Sequence, residues 1–304
     1  DESLNDEVPG DLPVYRTYSP EPFGLYGRLS GKSKQEVAQP TRVLKEGKSL
    51  SSKVATWIRA NLFIPDARMG WYLTAKRKAM KLVEDYNISA IVTTGPPHSV
   101  HFVGHHIKKS LGVPWISDFR DPWTEIHYNQ LLPRTRLAKS IDLALERKIL
   151  AGADNVLVVS PSMAKLQKQI YQRRYEVIPN GFDPDNFRNI PQPQQRQEQF
   201  VIRHVGSVSE NSVPFGFFEA LSQLENRDKL RIEFIGQVHP KVQMLIAEYN
   251  LEDVITLKGY VPHSEAIGLM QNADMLLLSI PRVQHNELIL TGKLFDYLAS
   301  RTPI

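Results

Sequence analysis

From residue 88 onward, short runs rich in valine, isoleucine and leucine alternate with stretches of helical period. That alternation restricts the chain to a parallel α/β architecture. Residues 88–94, 113–119, 155–160 and 176–178 read as strands, with helices over 98–111, 135–151 and 162–171. In the second of these helices Leu137, Ile141, Leu145 and Ile149 recur on one stripe, the expected core face. Several strands are apolar throughout, as strands buried in a parallel sheet with helices on both faces should be. The pattern breaks over 187–199, where FRNIPQPQQRQEQ has little to bury and reads as a linker. It then resumes, with strands at 200–206, 230–236, 254–257 and 274–280 and helices at 214–224, 240–249, 264–272 and 292–299. The expected organisation is a first Rossmann-like domain over 1–186, a linker over 187–199 and a second over 200–304. Ligands of such sheets bind outside the carboxyl ends of the strands, so a cleft between the two halves is the default site.

Composition narrows the chemistry. The 304 residues include no cysteine, which excludes disulfides, thiolate catalysis and cysteine-ligated zinc and suits a reducing cytoplasm. No apolar run is long enough to span a bilayer. The chain opens at Asp1 without an initiator Met and stops at Ile304, where Arg301-Thr302-Pro303-Ile304 leads into a new strand, so it reads as a fragment. The net charge of +4 conceals an asymmetry. Residues 28–81 hold thirteen Lys/Arg against Glu36, Glu46 and Asp66, a local +10 that leaves −6 elsewhere. Trp57, Phe63, Trp71 and Tyr72 lie among these bases. Such a segment suits either peripheral contact with an anionic membrane or a solvated helical face, and no nucleic-acid motif accompanies it.

Four strings occur in order: Thr93-Thr94-Gly95-Pro96-Pro97-His98-Ser99, Asp118-Phe119-Arg120-Asp121-Pro122-Trp123, Ile178-Pro179-Asn180-Gly181-Phe182-Asp183 and Thr291-Gly292-Lys293-Leu294-Phe295-Asp296-Tyr297-Leu298-Ala299. Together they resemble bacterial members of glycosyltransferase family 4, of the cell-envelope polysaccharide type. The resemblance implies a GT-B fold of two doubly wound parallel-sheet domains. It further implies transfer, with retention, of a sugar from a nucleotide-diphosphate sugar to a glycan or lipid-linked acceptor, with no metal or other cofactor. Family members begin with a strand and a Gly-rich loop that are not found here, so residues 1–304 alone are expected to be inactive. A sugar-nucleotide epimerase of the same fold and a non-catalytic sugar-nucleotide-binding subunit are the alternatives.

Lys293 in the first turn of a helix opposes the helix macrodipole unless an anion sits at the N-terminus and shares the N–H groups of Thr291 and Gly292. By similarity Lys293 would touch the donor diphosphate and Asp296 the ribose; otherwise the two form an i,i+3 ion pair on a solvated face. The family's acidic motif pairs two glutamates eight residues apart. Here Asp296 replaces the second, and Glu287 is the candidate for the first. The loop after the second domain's first strand, Gly206-Ser207-Val208-Ser209-Glu210-Asn211-Ser212, lacks the family's basic clamp. Gly206 and Ser207 would offer backbone N–H groups instead. In the first domain, His98 opens a helix at the carboxyl edge and would face a sugar or the acceptor. Asp118, Arg120 and Asp121 would orient the acceptor or supply a base; the alternative is Arg120 bridging two carboxylates with Trp123 in the core. His98, His101 and His105 share a stripe, but no further metal ligand is evident.

Overall fold

The computed structural model describes residues 9–20, 50–126, 129, 132–188, 198–283, 286 and 289–304. Val14–Pro179 form one compact unit, and Asn180–Ile304 together with the segment up to Pro13 form the other; the divide after Pro179 lies ahead of the expected boundary at 186. The divide falls inside the Ile178-Pro179-Asn180-Gly181 string. Most of the expected linker, residues 189–197, lies outside the described residues.

The first unit carries α1 (Leu50–Leu62), α2 (Trp71–Asp85), β1 (Ile91–Gly95), α3 (His101–Leu111), β2 (Trp115–Phe119), α4 (Arg136–Gly152), β3 (Asn155–Val158), α5 (Pro161–Ile170) and β4 (Glu176–Val177). Its four strands are parallel and lie in chain order. Helix α3 sits directly on Trp115: a Cβ at Gly104 would come within 2.2 Å of the indole nitrogen, so only glycine permits this approach. The start of the helical segment at His98 is capped from a distance. Asp66 accepts from the Ser99 backbone N–H at 2.8 Å and from its hydroxyl at 2.9 Å, which satisfies N-terminal donors and complements the helix dipole.

Helix α4 corrects the stripe read from the sequence. Leu137 and Ile141 are exposed, whereas Asp142 and Glu146 are fully buried beside Ile149 and Leu150. The reason is polar pairing. Asp142 accepts from the Trp123 indole N–H at 2.7 Å and forms a close ion pair with the buried Arg134. Glu146 accepts from the Thr124 hydroxyl at 2.6 Å and from the Gln167 amide at 3.3 Å. Burial nonetheless pushes the Glu146 carboxyl up to about 7, against those hydrogen bonds. The helix is therefore turned by the segment that follows β2, which it anchors, and not by its own most apolar stripe.

The second unit carries β5 (Phe200–Val205), α6 (Phe215–Ser222), β6 (Leu230–Ile235), α7 (Pro240–Glu248), β7 (Ile255–Gly259), α8 (His263–Gln271), β8 (Met275–Leu276) and α9 (Gly292–Ser300). The sheet is parallel in the order β7-β6-β5-β8, so the winding reverses between β5 and β8. Alternation along the strands feeds two cores. Ile202, Ile232 and Phe234 pack with Phe218, Leu221, Val242 and Leu245 of α6 and α7. Val205, Ile235 and Leu276 pack with Ile267 and Met270 of α8 and Tyr297 of α9. On that second face the buried Arg203 meets Glu233 at 2.6 Å and donates to the Leu269 and Asn272 carbonyls, tying β5 to the end of α8. Lys258 of β7 joins Glu233 at 3.1 Å. Breaking such a buried pair on one side leaves an uncompensated charge, at a cost of about 3–5 kcal/mol.

Candidate functional site

The reversal between β5 and β8 is where an open parallel sheet offers a crevice at its carboxyl edge. Five residues converge there. Val205 ends β5, and Gly206 follows with φ +115°, which favours glycine. The Lys293 side chain lies across that glycine: a Cβ on Gly206 would stand 2.4 Å from Lys293 Cε. Rising from α9 on one face, the lysine passes over the end of β5 and reaches His204, whose strand neighbours Ile202 and Phe234 belong to the other face. Its Nζ donates to the Ser207 carbonyl at 2.8 Å and lies 3.2 Å from His204 Nε2.

The imidazole's tautomer follows from its other contact. His204 Nδ1 is 2.8 Å from the Leu277 carbonyl, which can only accept, so Nδ1 carries the proton and Nε2 accepts from Lys293. Burial, then the facing lysine, lowers His204 to about 4, so it is neutral near pH 7. Burial alone lowers Lys293 to about 8. Below that pH the lysine is an ammonium in a partly dry setting, a state that an arriving anion would stabilise.

Tyr297 fixes α9 to the same strand end. Its hydroxyl accepts from the Val205 N–H at 2.8 Å and donates to the Val205 carbonyl at 3.2 Å. Thr291 stands at the N-cap of α9 but its side chain makes no capping hydrogen bond, and Gly292 is exposed with open space where a Cβ would lie. The first N–H groups of α9 are thus unoccupied by their own cap. Asp296 is half-buried and held above the usual carboxylate range by burial, with His263 acting in the opposite sense. Among the described residues Lys293 and Asp296 do not form the i,i+3 pair; the lysine goes to Ser207 and His204 instead. In the loop after β5, Glu210 pairs with Lys241 of α7 at 2.7 Å.

Gly206, Ser207 and Lys293, all candidates from the sequence, therefore meet at one strand end, with Thr291 and Gly292 just ahead of the lysine at the start of α9 and Asp296 one turn along it. Glu287 lies outside the described residues. His204 and Tyr297 were not expected. A histidine and a tyrosine facing the same strand end from 93 positions apart leave no sequence pattern, although a polar residue inside an apolar strand such as His204 is itself a signal.

The first unit's candidates separate. Thr94 donates to Asp118 at 2.6 Å across the β1–β2 register, at the carboxyl edge. Arg120 and Asp121 follow on the exposed surface. His98 departs from expectation: it does not stand open at the edge. Its ring is buried, stacked on Trp123 at 5.1 Å and against Phe119 at 5.7 Å, and neither ring nitrogen completes a hydrogen bond among the described residues. Burial lowers it to about 4, with the Pro122 backbone acting the other way. His101 is also buried, with Nδ1 on Thr93 and Ser117, while His105 meets the edge of Trp115. His98 and His101 thus share the Phe119 ring, with their own rings 5.9 Å apart, while His105 stands apart against Trp115. Of the basic stretch, residues 28–49 lie outside the described residues; the remainder exposes Leu50, Val54 and Trp57 on α1 beside Lys53.

The model of Glycosyltransferase Family 4 matches residues 38–186, just under half of the chain. Among solved structures, Anabaena Alr3699/HepE in complex with UDP superposes with a TM-score of 0.57 at 16% identity, over 79% of this chain and 65% of that one. The same protein in complex with UDP and glucose gives 0.53 at 16% identity, over 76% and 62%. The pneumococcal O-GlcNAc transferase GtfA, in complex with UDP and GlcNAc, gives 0.50 at 9% identity, over 76% and 44%. The chain thus spans less than two thirds of the length of these neighbours. No curated protein matches it. The fold shared with these structures is GT-B, two α/β units each with its own parallel sheet.

The buried His98 gives a pH prediction. A histidine lowered from 6.5 to about 4 binds its proton in the unfolded chain first, so stability falls as pH drops from about 6.5 towards 4. His98→Phe, which keeps the stack on Trp123, is expected to remove part of that acid sensitivity, on the order of 2–3 kcal/mol at pH 4. Urea denaturation at pH 7.5 and pH 4.5 measures it; equal pH dependence in both proteins would refute a buried neutral histidine.

Proposed function

We propose that the protein is a glycosyltransferase that moves a hexosyl or related sugar, with retention, from a nucleotide-diphosphate sugar to a glycan or lipid-linked acceptor at the cell envelope. The observation that carries this reading is Lys293, laid over Gly206 at the strand reversal of the second unit. Its ammonium and the uncapped first turn of α9 sit together, and both suit a diphosphate. The match of residues 38–186 to the glycosyltransferase family and the UDP complexes of the neighbours support it.

The chemistry follows from charge. Breaking the sugar–phosphate bond leaves a nucleoside diphosphate whose negative charge grows at the departing oxygen. A preorganised cation and fixed N–H dipoles stabilise that charge without reorganising. Lys293 supplies the cation, while the Gly206–Ser207 and Thr291–Gly292 backbones supply dipoles at the same strand end. Asp296 takes the ribose hydroxyls. Asp118, Arg120 and Asp121 at the carboxyl edge of the first sheet present the acceptor. The basic stretch 28–81, with Leu50, Val54 and Trp57 exposed on α1, holds the enzyme on the cytoplasmic face of an anionic membrane.

Calorimetric titration with nucleoside diphosphates and nucleotide sugars tests the donor site. One nucleotide is expected to bind, and Lys293→Ala to weaken it by about 10–100-fold, the worth of a charge-assisted hydrogen bond. No binding by the folded protein, or an unaffected variant, would sink the proposal. Turnover with acceptor but not without it separates transfer from epimerisation, and the anomeric configuration of the product tests retention. For the membrane, flotation with vesicles containing about 30% anionic lipid should carry the protein upward at low salt, and Trp57→Ser should reduce it. Equal flotation with neutral vesicles would contradict the electrostatic part.

A further inference from the structure

We propose that His204 is a positioning residue for Lys293: its neutral imidazole holds the ammonium over the end of β5, so that one N–H stays available to a phosphate oxygen. This rests on the donor site described above and names the part of it that keeps the lysine in place.

The argument is one of hydrogen-bond capacity. A lysine ammonium has three donors and accepts nothing. One goes to the Ser207 carbonyl at 2.8 Å and a second to His204 Nε2 at 3.2 Å. The third is uncommitted among the described residues. A flexible lysine would otherwise sample many rotamers, so two fixed acceptors on one strand end restrict where the remaining N–H can lie. The imidazole is itself fixed. Nδ1 donates to the Leu277 carbonyl, and the ring packs at 5.7 Å from Phe234, which stacks in turn on Phe218. The strand reversal thus reads out in this residue: Leu277 follows β8, His204 belongs to β5 and Lys293 to α9.

Among the described residues, the surrounding charges leave this pair to itself. Lys293 is the charged group that faces His204. On the same helix, Tyr297 turns its hydroxyl to Val205, and Asp296 has His263 as its titratable neighbour. On β5 and β6, Arg203 and Glu233 point to the opposite face, where they pair with each other. In the following loop Glu210 is taken by Lys241. A neutral acceptor favours the charged lysine, so removing it should push Lys293 further down. A protonated His204 would lose its acceptor and repel the ammonium, but burial keeps it neutral down to about pH 4.

The test compares His204→Phe, which keeps a ring against Phe234 but cannot accept, with His204→Gln, whose amide oxygen can. The first readout needs no ligand: the pH dependence of Lys293 acylation, followed peptide by peptide. Lys293 should titrate near 8 in the parent, about one unit lower in the phenylalanine variant, and within half a unit of the parent in the glutamine variant. The second readout is calorimetry at pH 7.5 with UDP and with uridine. UDP binding should weaken about tenfold in His204→Phe and less than threefold in His204→Gln, with uridine unchanged in both. If His204→Phe does not fold, His204→Leu takes its place. An unshifted Lys293 titration in the non-accepting variant, or equal losses in both variants, would overturn the proposal. A shifted titration in a protein that binds no nucleotide would uphold the positioning of Lys293 and reject the donor-site reading alone.

Discussion

The second unit is organised around one close approach, a lysine side chain lying across a glycine at the end of a strand. Gly206 has no Cβ and adopts φ +115°, and both properties are needed for Lys293 to pass 2.4 Å from where a Cβ would stand. The approach in turn requires α9 to be held at a fixed height above the sheet, and Tyr297 does this through two hydrogen bonds to Val205. The lysine then ends between a carbonyl and a neutral imidazole. Each contact depends on β5 and β8 being neighbours, so the strand reversal, the helix anchor and the cation are one arrangement.

The two units solve the problem of buried charge differently. In the second, Arg203, Glu233 and Lys258 satisfy one another across three strands, and the arginine also binds the last carbonyls of α8. In the first, Asp142 and Glu146 are spent on holding the segment after β2: Trp123 donates to one and Thr124 to the other. That segment carries Arg120 and Asp121 at its start, next to Asp118 of β2, so the buried carboxylates fix the base of an exposed polar loop. The same packing encloses His98 beneath Trp123. Burial keeps His98 and His101 neutral there, which makes the first unit's stability fall in acid, whereas the raised Glu146 acts in the opposite sense and costs stability as pH rises.

Much of this was legible in the chain. The βα alternation is visible because parallel strands must be apolar on both faces, and the strings around Gly206 and Lys293 carry residues that strand ends and helix starts demand. What escaped was set by contacts between distant segments. The α4 stripe of Leu137 and Ile141 lost to Asp142 and Glu146 because Trp123, Arg134 and Thr124 outbid apolar periodicity with hydrogen bonds. Asp66 caps a helix that begins 32 residues later, too far for any capping motif to register. His98 looked like an edge residue from its place after two prolines, yet the Trp123 ring closes over it. His204 and Tyr297 became site residues only when β5 and β8 were seen side by side.

The most direct test is the amide NMR spectrum of isotopically labelled protein during titration with UDP, with uridine as control. If the strand end of β5 and the start of α9 form a diphosphate site, the largest shifts belong to Gly206, Ser207, Gly292 and Lys293 and require the phosphates. Shifts of the same size with uridine, or UDP shifts confined to residues away from β5 and α9, would contradict the account.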